Sequence, residues 1–134
     1  MQTATNKELM QSIFAELEKG NAKPLYESFA DDVRWTITGS TPWSKTYDGK
    51  AAVRELLAAL GAQFADRYRA TARRFIAEGD YVVVEYEGAV TTKAGKPYHN
   101  TYCLVYRLAG GKIRELTEYS DTALIASVLS DPPV

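Results

Sequence analysis

The side chains able to do chemistry are few, and they do not cluster along the chain. His99 is the one histidine and Cys103 the one cysteine. A metal site needs several nitrogen, sulfur or carboxylate donors at ligand spacing. Neither residue has a second histidine or cysteine near it, so no metal is expected. His99 lies next to a turn and reads as a rim or interface residue. A single cysteine excludes an internal disulfide and fits a reducing cytoplasm. Arg67, Arg69, Arg73 and Arg74 form a basic run. No phosphate-cradling loop adjoins it, so it reads as a solvated or dimer-facing surface, and no cofactor is expected. Asn100 and Tyr102 are placed more suggestively. Strand alternation puts Tyr98, Asn100, Tyr102, Leu104 and Tyr106 on one face and His99, Thr101, Cys103, Val105 and Arg107 on the other. With the first face inward, the tips of Asn100 and Tyr102 enter an apolar interior, a mix suited to holding a small molecule. A core whose tyrosine hydroxyls find local partners gives the same pattern.

These residues need elements to position them. Thr5 followed by Glu8 reads as a capping box, and Leu9, Met10, Ile13, Phe14 and Leu17 recur at helical spacing up to Gly20. Asn21 can cap a shorter helix with Pro24 in its first turn and with Leu25 and Phe29 on one face; the Asp31-Asp32 pair ends it. Val33, Trp35 and Ile37 alternate with Arg34, Thr36 and Thr38, the period of a half-buried strand. Residues 39–49 read as a loop rich in Gly, Ser, Thr and Pro. Its Trp43 and Tyr47 are large groups for a loop unless they fold over something. Val53, Leu56, Leu57 and Leu60 return to helical spacing, with Gly61 at or just inside the end.

From residue 68 the pattern is a meander of strands over 68–78, 81–92, 98–108 and 112–120, joined by short turns and therefore antiparallel. Strands this long twist and curl the sheet. Asp121 can cap a last helical turn in which Leu124, Ile125, Val128 and Leu129 share a face. Helices first and a long meander after define an α+β class, a curved antiparallel sheet packed on N-terminal helices around a cone-shaped interior that periodicity leaves either filled or hollow as a pocket. Trp35 and Ile37 form the wall opposite Tyr102, and Trp43 covers the pocket.

Composition narrows the partners. The 134 residues are 46% hydrophobic, enough for one self-sufficient core over residues 1–134. Sixteen basic against seventeen acidic side chains leave a net charge of −1, which offers no footprint for nucleic acid or an anionic membrane. The first twenty residues hold five charges and no continuous apolar stretch, so neither a signal peptide nor a spanning helix is expected.

Several segments taken together resemble the nuclear transport factor two-like superfamily, in its SnoaL-like and ketosteroid-isomerase-like branch. They are the helix ending in Gly20, the Phe29-Ala30-Asp31-Asp32-Val33 junction into Trp35, the Tyr47-Asp48-Gly49 turn before a helix, and the run from Gly111-Lys112-Ile113-Arg114 to Glu118-Tyr119-Ser120-Asp121. The resemblance covers nearly the whole chain. It implies a cone-like fold with a deep pocket for a small hydrophobic molecule, and a homodimer through the outer sheet face. It does not imply one reaction, because function belongs to the site and not the fold.

Residue by residue, the resemblance places the ketosteroid isomerase roles at Ile13, Ile37 and Leu104. All three are apolar, so that apparatus is absent. The Asp-Arg-Asp pattern of the epoxide hydrolases has no place on this chain. The SnoaL-like polyketide cyclases carry an acid/base aspartate at the position of Glu118, where a carboxylate is retained one methylene longer. An enclosed apolar site would raise its pKa toward neutrality and suit it to proton transfer next to a carbonyl. Two functions follow. One is an acid/base enzyme of cyclase, isomerase or hydrolase type, with Glu118 catalytic and Trp35, Ile37, Trp43, Asn100, Tyr102 and Leu104 around the substrate. The other is a ligand-binding or dimerisation module without turnover.

Overall fold

The structure is a computed structural model and describes residues 2–133. Helix α1 runs Gln2–Glu18 and buries Met10, Ile13, Phe14 and Leu17 against the sheet. Each such side chain contributes about 1.5–3 kcal/mol relative to exposure. Thr5 lies inside this helix and is not its cap, since no Gly or Pro among the preceding residues stops the helix from starting earlier. Gly20 closes it in the left-handed region at φ +83°, with the Asn21 N–H bonded to the Glu16 carbonyl.

Helix α2 (Lys23–Ser28) ends one residue before Phe29, which opens strand β1 (Phe29–Ile37) instead of sharing a helical face with Leu25. Asp31 and Asp32 therefore belong to the strand. The Ser28 hydroxyl bonds back to the Pro24 carbonyl, and Phe29 is already extended at φ −71°, ψ 132°. The loop expected over 39–49 holds a short strand, β2 (Thr46–Asp48), paired with β1. Three residues are too few to show a period.

Helix α3 (Lys50–Gly61) is followed by β3 (Arg69–Glu78), β4 (Tyr81–Thr91), β5 (Pro97–Ala109), β6 (Lys112–Ser120) and helix α4 (Thr122–Val128). The Asp121 side chain accepts the Leu124 N–H at 3.2 Å, as the capping reading requires. The long strands form the expected antiparallel meander. The six-stranded sheet has the order β2-β1-β6-β5-β4-β3 and is curved and unclosed. One pairing departs from antiparallel: β1 and β6 run parallel, because the chain reaches β6 only after the whole meander. Register shifts between Ala72 and Arg74 and between Arg107 and Leu108 mark bulges, which increase local twist and bend. No helix among the described residues is long and apolar enough to cross a membrane.

Candidate functional site

The parallel pairing of β1 with β6 sets Ile37 beside Glu118, and the antiparallel pairing on the other side sets Leu104 beside it. Glu118 is thus a carboxyl in an inward-facing row that continues through Leu104 to Val84. It is 7% exposed. The one hydrogen bond to its carboxylate among the described residues comes from the Trp35 indole N–H, at a long 3.3 Å. Among the described residues no basic side chain and no tyrosine hydroxyl pairs with it. Burial without a compensating cation pushes its carboxyl up to about 7, and the Trp35 N–H offsets this only in part.

Over this row lies a cavity of about 320 Å³, within the range of small-molecule pockets. Glu118, Trp35, Ile37, Trp43 and Tyr102 all line it. Its far walls come from Phe14 and Leu17 of α1, from Leu57 and Leu60 of α3, and from Ile125 and Leu129 at the C-terminal end. Trp43 is 3% exposed, and its indole N–H donates to the Ser130 carbonyl at 3.0 Å. Gln63 holds the same residue through both its N–H and its carbonyl, so loop, C-terminal segment and cavity wall are tied together.

Two of the predicted site residues do not reach the cavity wall. Leu104 is buried between Glu118 and Val84 in the sheet row. Asn100 is buried too, but its amide is engaged elsewhere. Its Nδ2 donates to the Asp121 carbonyl and its Oδ1 accepts the Asp121 N–H, at 3.2 and 3.1 Å. Strand β6 ends at Ser120, and the Asn100 side chain supplies the partner of the Asp121 N–H and a second donor to its carbonyl, which also accepts the Ile125 N–H at 3.3 Å. The same Nδ2 donates to the Tyr98 hydroxyl at 3.0 Å, and Tyr102 donates to it at 3.2 Å. The cavity therefore meets Tyr98 and Tyr102, with Asn100 behind them. His99 is exposed on the outer face, and Val83 and Val105 are half-buried there.

Other lining residues escape sequence reasoning. Tyr86 stacks on Tyr102 with ring centroids 4.8 Å apart, and Tyr68 reaches in from the segment before β3. Tyr68 fits because Gly88, in mid-strand, has no side chain: a Cβ there would collide with the Tyr68 hydroxyl and lie 2.9 Å from the Tyr102 ring. Burial raises the phenols of Tyr68, Tyr86 and Tyr102 well above the usual tyrosine range, with smaller contributions from neighbouring tyrosines and from Glu118. They are neutral hydrogen-bonding groups at physiological pH. Arg67, grouped by sequence with a solvated run, lines the cavity as well. Among the described residues no three His, Cys, Asp or Glu side chains gather as a metal site would require.

A curved, unclosed sheet cupped over helices, with a buried carboxyl facing an aromatic cavity, is the architecture of the NTF2-like class. Solved structures share this fold over nearly their whole length. An NTF2-like protein from Burkholderia xenovorans LB400 is 23% identical, covering 96% of this chain and 98% of its own, at a TM-score of 0.72. A candidate SnoaL-like polyketide cyclase from Jannaschia sp. CCS1 is 18% identical over 98% and 95%, at 0.77. TerC, co-crystallised with polyporic acid, is 23% identical over 92% and 96%, at 0.76. At these identities the likeness establishes the fold alone. The sequence pattern of the SnoaL-like domain matches residues 10–116, and the chain belongs to that family. No curated protein sequence matches it.

Proposed function

We propose that the cavity binds a small, mostly apolar, carbonyl-bearing molecule and that Glu118 moves a proton on it, as an acid/base enzyme of cyclase, isomerase or hydrolase type. The observation that carries this reading is a buried carboxyl whose pKa is raised to about 7, facing the cavity and with no cation paired to it among the described residues. The Tyr98 oxygen already accepts from Asn100 and Tyr102, so its own proton is left to donate to a substrate oxygen. Asn100 then acts by holding Tyr98. Leu104 packs beside Glu118 and helps keep water from it, while Trp35 both binds the carboxylate and walls the cavity. TerC with its polyporic acid supports the use of this fold for such ligands.

The test is Glu118→Gln, which keeps shape and the acceptor for Trp35. It should leave ligand affinity near wild type and lower turnover about a hundredfold or more. Unchanged turnover would leave the second reading, a binding module without chemistry. That reading is favoured by the apolar Ile13, Ile37 and Leu104 and by the absence, among the described residues, of a second buried carboxylate beside Glu118.

We also propose a homodimer through the outer sheet face. Ile76, Val83, Val105 and Thr117 are successive partners across four strands, and Ile76 is 55% exposed. Ion pairs Arg74–Glu85 and Arg107–Glu115 flank this stripe, so a two-fold copy would meet both signs of charge. Sedimentation showing only monomer at all workable concentrations would overturn it. A cytoplasmic location is part of the same proposal, since a reducing compartment suits the free Cys103.

A further inference from the structure

We propose that Arg67 selects for an anionic substituent on the cavity's ligand, so that the preferred ligand is an amphipathic acid. Its apolar body enters toward Glu118 and its acid group stays at the opening. This rests on the reading that the cavity is a ligand site.

Most lining residues are buried or half-buried; the exposed ones are Tyr26, Gly61, Asp66 and Arg67, and they mark the opening. The segment carrying Arg67 is held in place. Ala65 donates its N–H to the Thr91 carbonyl, Asp66 Oδ1 accepts the Thr91 N–H at 3.3 Å, and Phe64 bridges to Thr92. The Asp66 carboxylate is thereby directed to the backbone of β4.

The Arg67 stem lies over Gly20. A Cβ at Gly20 would be 3.2 Å from Arg67 Cβ and 3.3 Å from Cδ, so the absence of a side chain there makes room for the stem. Among the described residues no carboxylate pairs with the Arg67 guanidinium. Its neighbours in the basic run, Arg73 and Arg74, pair with Glu87 and Glu85, and Glu16 near Gly20 is engaged by Lys19 and Asn21. A cation without a counter-ion therefore sits at the rim of an apolar cavity. A guanidinium offers a planar fork of donors that fits a carboxylate or sulfonate. The inner end of the cavity offers an anion only apolar side chains, neutral tyrosines and the Glu118 carboxyl, so burying the acid group there is unfavourable and the ligand's orientation is fixed.

Two fluorescent probes share one aromatic body and separate the contributions. 8-Anilinonaphthalene-1-sulfonate carries an anion, and N-phenyl-1-naphthylamine does not. Arg67→Gln should weaken the sulfonate about fivefold, in the range of a partly exposed charge pair, and leave the neutral probe unchanged. Arg67→Lys should retain part of the preference, and added salt should erode it in the wild type. If Arg67→Gln leaves the sulfonate's affinity unchanged, or weakens both probes alike, the inference fails while the cavity reading stands. If neither probe binds the wild-type protein, the cavity reading fails and this inference with it.

Discussion

The buried carboxyl of Glu118 makes a definite demand on stability. Its pKa is about 7 in the folded chain against 4.5 for the free side chain. Between these values the native protein holds a proton that the unfolded chain has released. Stability from this group is therefore fully present below about pH 4.5, falls as pH rises toward 7, and is level above that. At about 1.4 kcal/mol per unit, the loss comes to about 3 kcal/mol. Glu118→Gln removes the titration while its Oε1 can still accept from Trp35. Variant and wild type should unfold at similar urea concentrations near pH 4, and the variant should be the more stable by about 3 kcal/mol near pH 8. Trp35 and Trp43 are both buried, so tryptophan fluorescence follows the transition. A stability difference that does not change with pH would show that Glu118 ionises at an ordinary pKa, and one that favours the wild type as pH rises would show a lowered pKa. The physical basis for assigning it proton transfer would then be gone.

Three further outcomes are expected. Gly88→Ala should expel the Tyr68 ring from the cavity, destabilise by about 1–3 kcal/mol and weaken N-phenyl-1-naphthylamine binding; unchanged melting and binding would mean that Tyr68 is not held there. Asn100→Leu should cost about 1–3 kcal/mol in urea unfolding, because the Asp121 N–H loses its partner, the Asp121 carbonyl keeps only the Ile125 N–H, and Tyr98 loses a donor. A loss of probe affinity without a loss of stability would instead place Asn100 in direct contact with ligand. Asp121→Ala should cost about 1 kcal/mol, a cap's worth, with the cavity intact by probe titration.

Much of this fold was legible in the chain because period reports which face a residue takes. The alternation at Val33, Trp35 and Ile37 and from Tyr98 to Tyr106, the helical stripe of α1 and the Asp121 cap are all local patterns, and all appear in the structure. Period does not say which strand lies beside which. Glu118 meets Trp35 and Ile37 because β1 pairs in parallel with β6, strands separated in sequence by the entire meander. Strand β2 was too short to read, and the helix-to-strand switch at Phe29 shifted a boundary that no apolar spacing marks. Asn100 had the right face for the cavity, yet the end of β6 claimed its amide. Arg67 and Tyr68 became wall residues only when their segment docked on β4 and across Gly20 and Gly88. The sequence by itself determined the elements, their buried faces and the presence of one carboxylate on an inward strand face. The tertiary structure decided what surrounds that carboxylate, and its pKa follows from those surroundings, since desolvation and the distance to the nearest charge are properties of neighbours brought together from distant parts of the chain.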